Sequence, residues 1–188
     1  MALTFDDGPD GRVTPVILDI LRQKQVPATF YLVGTHAQRY PEVVRRIARE
    51  GHEIGNHSWS HRDMRKLGTR ETLQEIQRLN QWIEHVIGYR PATIRPPYGV
   101  VTKDLLQTAR QLGQPLVGWT VDPRDWAGTA PREMDRIVRT QLRPGGIVLL
   151  HSFGGRRHLE NTVRFLPHLI DELRTQGYSF VRVSELKS

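Results

Sequence analysis

The side chains best suited to metal chemistry are a pair of histidines and a pair of aspartates. His57 and His61 lie four residues apart, so in a helical turn both imidazoles would project from one face and could bind the same cation. Asp6 and Asp7 are adjacent, and a cation would relieve the repulsion between their charges. One carboxylate and two imidazoles leave a coordination position open for water, as in a catalytic site, and the other carboxylate could then act as a base.

Each of these patterns also has a purely structural explanation. The sequence contains eight histidines, so one pair at a chosen spacing is weak support for a metal site. Residues 7–11, Asp-Gly-Pro-Asp-Gly, are rich in turn formers, and aspartates often begin turns. The segment around the two histidines is rich in serine and follows a glycine and an asparagine, so it is a poor core element. That composition favours ligands over buried structural histidines.

Five polar clusters, including these two, each follow an apolar segment that predicts a strand. In a βα barrel the carboxyl ends of all strands meet at one rim, which is where active sites form. The clusters therefore predict one site built from several strand ends. They are Asp6-Asp7-Gly8, His57 with His61, Arg95-Pro96-Pro97-Tyr98-Gly99, Asp125-Trp126 and His151.

Strands alternate with amphipathic helices along the whole chain. We predict strands near residues 2–5, 28–33, 52–55, 93–95, 116–121, 147–151 and 179–183. Thr14 as N-cap and Pro15 as first residue predict the first helix, and Pro41 and Gly51 bound the second. Further helices are predicted at 69–87, 103–112 and 131–142. Pro167 should kink or divide the helical stretch 162–176.

This alternation, without a linker or a shift in composition, predicts a single α/β domain over residues 1–188 with a largely parallel sheet. We expect a distorted barrel of seven or eight β/α units, similar to a TIM barrel. The chain is shorter than the roughly 250 residues usual for eight units, which favours a reduced version. A doubly wound open sheet is the alternative, because it also gathers ligand groups, at one switch point.

Composition limits the classes of protein to consider. The chain has 188 residues, 38% of them hydrophobic and 25% charged, as in ordinary globular proteins. We find no apolar run long enough to span a bilayer and no leader, and because the chain begins almost inside its first strand we expect an excised catalytic domain. With no cysteine, a metal must be held by histidine and carboxylate. The net charge of +7 suits an anionic partner, but no nucleic-acid-binding motif accompanies it, and we expect no nucleic acid to bind.

The five clusters resemble the five motifs of the NodB-homology polysaccharide deacetylases, carbohydrate esterase family 4. They occur in the family's order and span most of the chain, which is hard to reconcile with coincidence. The matching stretches are Thr4-Phe5-Asp6-Asp7-Gly8-Pro9, His57-Ser58-Trp59-Ser60-His61, Arg95-Pro96-Pro97-Tyr98, Asp125-Trp126 and Leu149-Leu150-His151.

The resemblance implies a metal site and a base. Asp7, His57 and His61 would be the metal ligands. Asp6 would take a proton from the metal-activated water that attacks the acetyl carbonyl, and Arg95 would hold Asp6 in place. Histidine and carboxylate ligands suit Zn²⁺, with Co²⁺ or another first-row ion as the alternative.

The resemblance also implies an acid and an acetyl pocket. His151 would be the general acid, because an imidazole can hold and release a proton near neutral pH, and Asp125 would keep it protonated and oriented. The backbone N–H of Tyr98 would stabilise the oxyanion together with the metal, and Tyr98 would also contact substrate. Trp126 and Leu149 would form the walls around the acetyl methyl group.

The activity that follows is metal-dependent N-deacetylation of polymers that contain N-acetylglucosamine or N-acetylmuramic acid, with acetate and a free amino sugar as products. Peptidoglycan is our first candidate because the positive charge suits an anionic envelope, and Arg156 and Arg157 in the loop after His151 could contact its carboxylates. Chitin oligomers come next, and acetylated xylan is a third candidate because the same site can cleave esters. We expect a monomer that is secreted or attached to the cell envelope.

Two other classes of function stay open. A non-catalytic carbohydrate-binding module on the same fold should have lost Asp6, Asp7 or His151, and all three are present. An amidase for small molecules should have an enclosed site with longer rim loops than these short connections allow.

Overall fold

A computed structural model describes residues 1–186 of the chain, and the side chains of Arg156 and Arg157 lie outside that description. Within it, four strands form a parallel sheet in the order β3-β2-β1-β4. They are β1 (Ala2–Asp6), β2 (Thr29–Leu32), β3 (Glu53–Asn56) and β4 (Ile147–His151). The register pairs Asp6 at the end of β1 with His151 at the end of β4. The carboxyl ends of neighbouring strands therefore bring two of the predicted site residues side by side.

The α/β class with a parallel sheet is confirmed, but a closed barrel is not. In residues 1–186 the regular sheet is open, with β3 and β4 at its edges. Beyond it lie three isolated parallel bridges, Asn56 to Ile94, Ile94 to Leu116 and Val121 to Val148. The strands predicted at 93–95 and 116–121 are thus reduced to isolated bridges. Both segments adjoin prolines, at 96, 97 and 115, and proline cannot donate to a strand ladder.

The strand predicted at 179–183 is wrong. This segment runs beside the chain's first residue, where the Met1 amino group donates to the Ser179 carbonyl and Val181 N–H donates to the Met1 carbonyl. It then turns into a short 3₁₀ helix, Val183–Glu185, before a ladder can form.

Seven α-helices surround the sheet in the described part of the chain, and the bounds predicted for α4 and α5 are confirmed. Gly113 takes a positive φ of 66° directly after α5, as expected of a glycine that ends a helix. The short α2 was not predicted, because its sequence lacks an apolar period. The helices are α1 (Val13–Lys24), α2 (Gly34–Arg39), α3 (Pro41–Arg49), α4 (Thr69–Ile87), α5 (Lys103–Leu112), α6 (Pro131–Gln141) and α7 (Arg156–Thr175).

Thr14 is not the N-cap of α1, and Pro15 is not its first residue. The helix begins at Val13, and the carboxylate of Asp10 accepts hydrogen bonds from the backbone N–H groups of residues 12, 13 and 14 at 3.1, 2.7 and 2.8 Å. Asp10 therefore satisfies the free donors of the first turn. The Thr14 hydroxyl donates instead to the Ser152 carbonyl at 3.0 Å, which ties α1 to the loop after β4.

Pro167 does not divide the last helix, since α7 continues through it to Thr175. An internal proline removes one backbone hydrogen bond and costs about 3 kcal/mol. Burial of a large apolar side chain contributes roughly 1.5–3 kcal/mol, so a few such side chains offset that cost. On α7 they include Phe165, Leu166, Leu169, Ile170 and Leu173.

The main core lies between the sheet and the helices, where the rings of Phe5 and Phe30 stack at 5.0 Å between centroids. A second, smaller cluster around Met64, Ile94 and Leu105 supports the chain after β3. None of the helices described combines the length and the apolarity needed to cross a membrane.

Candidate active site

A cavity of about 420 Å³ opens at the carboxyl ends of the strands. Every site residue predicted from the sequence lines it except Arg95 and Asp125, which are buried directly behind it. Two further lining residues, Trp119 and Asp122, were not predicted. The cavity is lined by Asp6, Asp7, His57, His61, Pro96, Tyr98, Trp119, Asp122, Trp126, Leu149 and His151.

Asp7, His57 and His61 form the ligand cluster, in which all donor atoms lie within 4.8 Å of one another. One Asp7 oxygen, Oδ1, lies 3.2 Å from His57 Nε2 and 3.1 Å from His61 Nε2. Burial alone would raise the pKa of Asp7, but its contacts with the two imidazoles hold that pKa well below its usual range. The carboxylate is therefore ionised and available as a ligand.

The tautomer of His57 fits a metal ligand. Its Nδ1 lies 2.7 Å from the carbonyl oxygen of Arg95, which can only accept, so we assign the imidazole proton to Nδ1. Nε2 then faces Asp7 Oδ1 at 3.2 Å, so that a divalent cation could be bound by both atoms. A histidine whose other nitrogen donates to a backbone carbonyl is the usual arrangement at a metal site. The residues present therefore fit a divalent cation.

The helical turn expected for the two histidines is wrong, because residues 57–63 form an irregular loop. Their spacing works through left-handed backbone, with φ of 68° at Ser58 and 56° at His61, and it brings the two ring centroids to 5.0 Å. Side-chain oxygens fix this loop. Asn56 Oδ1 accepts from Ser58 N–H at 2.8 Å, and Ser58 Oγ accepts from His61 N–H at 3.0 Å.

His36 supports the ligand cluster from α2 and was missed in the sequence. Its Nδ1 lies 2.7 Å from the carbonyl oxygen of Asp7, which has a positive φ of 70°. Its ring stacks on Phe153 in the loop after β4, with 3.7 Å between centroids. Non-glycine residues with positive φ persist only where their surroundings hold them, and they are common at functional sites. A histidine on a short helix without a motif gave no sequence pattern that could have identified it.

Asp6 is paired with the fully buried Arg95. The guanidinium donates to Asp6 Oδ1 and Thr4 Oγ1, both at 2.7 Å, and to the backbone carbonyls of residues 117 and 118 at 3.3 and 2.8 Å. Its Cζ lies 4.1 Å from the centroid of the Tyr31 ring. Burial raises the pKa of Tyr31 well above its usual value, so the phenol stays neutral beneath the cation. Arg95 thus compensates the buried carboxylate charge and leaves the second oxygen, Oδ2, 3.7 Å from His57 Nε2.

His151 is paired with the buried Asp125. Its Nδ1 lies 2.8 Å from Asp125 Oδ1, and its backbone N–H donates to Oδ2 at 2.8 Å. Burial alone would lower the pKa of His151, but the hydrogen bond and charge of Asp125, with the charges of Asp6 and Asp7, outweigh burial and raise it to about 9. The imidazole therefore carries a positive charge at neutral pH. Nδ1 is occupied by Asp125, so Nε2 is free to donate into the cavity.

Apolar and aromatic groups line the mouth. Leu149 is buried, whereas Trp126 is 49% exposed and Tyr98 65% exposed. The indole N–H of Trp126 donates to Asp122 Oδ2 at 3.2 Å, which fixes the ring against the cavity. Trp119 packs where a side chain on Gly99 would stand, 2.7 Å from the position a Cβ would take. The strand-end rule could have identified Asp122, since it follows the strand predicted at 116–121.

Comparison with known proteins places this geometry in context. A family model described as "Polysaccharide deacetylase" matches residues 1–117. A peptidoglycan-N-acetylglucosamine deacetylase of Bacillus cereus is 40% identical over 186 residues, which cover 99% of this chain and 67% of that relative. A chitooligosaccharide deacetylase of a Bradyrhizobium species is 39% identical over 197 residues, with 98% of this chain and 89% of the relative covered. The crystal structure of the Bc1960 peptidoglycan N-acetylglucosamine deacetylase superposes with a TM-score of 0.95 at 40% identity, over 98% of this chain and 86% of that one.

Proposed function

The chain belongs to the polysaccharide deacetylase family, and on that basis we propose that it removes acetyl groups from the N-acetylated sugars of a cell-envelope polysaccharide, peptidoglycan first. The products are acetate and a free amino sugar. One observation carries the proposal: a carboxylate, a cluster of metal-ligand type and a protonated imidazole face one cavity from different strand ends. Metal-assisted hydrolysis of an amide needs these three components.

Asp7, His57 and His61 are the residues that would hold the metal, and their nitrogen and carboxylate donors suit Zn²⁺, with Co²⁺ or another first-row ion as the alternative. The chemistry supplied by the bound metal is Lewis acidity toward the acetyl carbonyl and a lowered pKa for water. Asp6 and His151 also line the cavity, but Asp6 Oδ1 is bound by Arg95 and His151 Nδ1 by Asp125, and we assign these two residues to proton transfer.

Asp6 acts as the base. One of its oxygens is held by Arg95, and the other lies 3.7 Å from His57 Nε2, beside the residues that would hold the metal. The ion pair with Arg95 keeps the carboxylate in one orientation, so its free oxygen can accept the proton of the water without rearrangement. The backbone N–H of Tyr98, on the turn Pro97–Gly99, donates to the oxyanion that forms at the acetyl carbonyl.

His151 acts as the acid. With its pKa raised to about 9 by Asp125 and the nearby carboxylates, it is charged at neutral pH and can give its Nε2 proton to the departing amine. Asp125 then stabilises the charge and fixes the ring, so that Nε2 and not Nδ1 faces the substrate.

Leu149 and Trp126 form the pocket for the acetyl methyl group, and the apolar surface they offer disfavours longer or charged acyl groups. Tyr98 and Trp119 extend this surface at the mouth, where they can cover the apolar face of a sugar ring. Similarity to relatives named for N-acetylglucosamine in peptidoglycan and for chitooligosaccharides supports a GlcNAc-type sugar at this position.

Peptidoglycan is preferred over chitin oligomers because the chain carries a net charge of +7, which favours an anionic polymer. A cell-wall substrate in turn implies a secreted or envelope-attached protein. Acetylated xylan is retained as a third substrate because this geometry does not distinguish an amide from an ester.

We also infer that residues 1–188 form one catalytic domain built as a distorted barrel. The three isolated bridges support this, since they continue from β3 through Ile94, Leu116 and Val121 to β4 and so connect the two edges of the open sheet.

The test is acetate release by metal-reconstituted protein from peptidoglycan, chitooligosaccharides and acetylated xylan in parallel, with a chelated sample and Asp6→Asn as controls. We expect release that both controls abolish, with peptidoglycan the preferred polymer. Protein that binds metal but releases no acetate from any of the three would refute the function.

A further inference from the structure

Asp125 is 1% exposed, and its carboxylate accepts four hydrogen bonds, two on each oxygen. Three donors come from Trp126 and His151, which both line the cavity. The fourth is the hydroxyl of Thr162 on α7, which donates to Oδ2 at 2.8 Å. This bond links the acid pair to a helix that contributes no predicted catalytic or metal-binding residue.

Thr162 has no direct access to the cavity, because its side chain is fully buried. Its hydroxyl also lies 3.4 Å from the carbonyl of His158, one turn earlier in α7, but the contact with Asp125 is much shorter. The preceding residue, Asn161, donates to the carbonyls of Gly128 and Thr129 at 3.3 and 3.2 Å. Two successive side chains of α7 therefore hold both the carboxylate and the backbone of the turn that carries it.

We propose that Thr162 is a positioning residue for the deacetylation reaction, acting on the acid His151 through Asp125. The inference rests on the proposed function, in which His151 protonates the departing amine. A hydroxyl that donates a hydrogen bond to a buried carboxylate stabilises part of its negative charge. The same bond fixes which carboxylate oxygen faces the imidazole. Thr162 thereby sets both the direction of His151 Nε2 and the acidity of its proton.

Thr162→Val removes the hydroxyl and keeps the shape of the side chain. Because one donor to the carboxylate is lost while two backbone donors still hold it, more negative charge remains opposite the imidazole. We expect the His151 titration midpoint, followed by NMR in zinc-loaded protein, to rise by about 0.5 pH unit in Thr162→Val and to return to the wild-type value in Thr162→Ser. A midpoint in Thr162→Val that equals or falls below the wild-type value would overturn the inference.

The matched control is Thr72→Val. Thr72 is also a fully buried helical threonine, but on α4, and within residues 1–186 its hydroxyl has no hydrogen-bond partner. The same substitution should leave the His151 midpoint where it is. A shift of equal size in both variants would mean that any buried hydroxyl has this effect, and the positioning role would be rejected.

Activity gives a second, independent readout. Loss of one hydrogen bond to a charged group should lower kcat about tenfold with KM unchanged, since Thr162 does not touch substrate. Thr162→Ser should restore kcat, and Thr72→Val should keep it. If Thr162→Val does not fold, Thr162→Ala removes the same donor without placing a methyl group beside the carboxylate.

The two readouts separate two kinds of failure. Wild-type protein that releases no acetate would refute the proposed function, whereas the NMR titration would still decide whether Thr162 acts on His151. Active wild-type protein with an equally active Thr162→Val variant would refute the positioning role and leave the proposed function intact.

Discussion

The acid side of the cavity, made of Asp125, His151 and Thr162, and the ligand side, made of Asp7, His57 and His61, are held in different ways. On the acid side every oxygen of the buried carboxylate meets hydrogen-bond donors, at 2.8 Å in each case. On the ligand side a carboxylate faces two imidazoles across 3.1 and 3.2 Å.

The backbone conformation of the site residues also differs between the two sides. Asp7 and His61 have positive φ values of 70° and 56°, which for non-glycine residues cost on the order of 1 kcal/mol each. His151 lies at the end of a regular strand, and its partner is held by α7. The acid side is therefore complete within the protein, whereas the ligand side is organised for a cation. The two sides should respond differently to metal removal and to substitution.

The largest effect is expected from Asp6→Asn, which removes the base next to the ligand side. Acetate release should fall by about 10²–10⁴-fold, because an amide cannot accept the proton of the attacking water. The matched control is Asp122→Asn, the same change at a second aspartate that lines the cavity and holds Trp126. It should lower activity less than tenfold. Equal losses of activity in both variants would show that the total negative charge of the cavity controls the rate and that Asp6 is not the base.

His61→Ala tests whether the ligand side is built for a cation. Zinc affinity, measured by competition with a chromophoric chelator, should fall by more than about 100-fold, because one of three protein ligands is lost. The thermal midpoint of the chelated protein should fall slightly, because the variant also removes the contact between His61 Nε2 and Asp7 Oδ1 at 3.1 Å, which stabilises the carboxylate. His85→Ala, at an exposed histidine on α4, should change neither quantity. Unchanged zinc affinity in His61→Ala would contradict the claim that the ligand side is organised to bind a cation.

The pH dependence tests the acid side. His151 must be protonated to act, and its pKa is raised to about 9 by Asp125 and the nearby carboxylates, so the acid is lost as pH rises through that value. In chelated protein the His151 midpoint should lie near 9. Zinc should lower it, because a cation on Asp7 offsets charge that favours the imidazolium. The alkaline limb of kcat should follow the zinc-loaded midpoint and fall about tenfold per pH unit beyond it. A chelated midpoint near the ordinary value of about 6.5 would contradict the pairing with Asp125.

A smaller effect, on the free energy of unfolding, is expected from the buried residue His52. Its Nδ1 contacts a backbone N–H, whereas Nδ1 of His151 contacts a carboxylate. Burial lowers the pKa of His52 to about 4, and its Nδ1 accepts a hydrogen bond from Ala28 N–H at 3.2 Å. Between pH 6.5 and 4 the unfolded chain binds a proton that the folded chain does not, so stability falls as pH falls.

Denaturant unfolding should show that His52 contributes a loss of about 1 kcal/mol between pH 7 and 5.5. In His52→Asn, which retains an acceptor, this part of the pH dependence should disappear. An identical pH dependence in both proteins would mean that burial does not control the charge of His52. Together, His52 and His151 would show that burial lowers a histidine pKa and that a paired carboxylate, with other carboxylates nearby, can reverse this shift.

The sequence predicted which residues meet in the cavity better than it predicted the fold. Clusters at strand ends predicted the residues that meet in the cavity, because parallel strands point the same way and polar groups at their ends stand out from apolar runs. The same periodicity predicted α4 and α5 to the residue.

Prediction from the sequence failed where a few hydrogen bonds decide the local structure. Isolated bridges replace the strands expected around Ile94 and Leu116, because adjoining prolines stop the ladders. The two histidines meet through left-handed residues and not through a helical turn, a choice made by Asn56 and Ser58 oxygens that no periodicity reveals. Thr162 contacts Asp125 from 37 residues away, so no local pattern could indicate it.

The most direct test is a zinc titration of the chelated protein in which histidine NMR signals and acetate release from peptidoglycan are followed together. We expect both to saturate at about one equivalent, with His57 and His61 Nε2 signals shifted and the His151 Nδ1–H signal present throughout, because the acid side is complete without the ion. Acetate release that does not depend on zinc, or zinc that shifts histidines other than His57 and His61 first, would contradict the account.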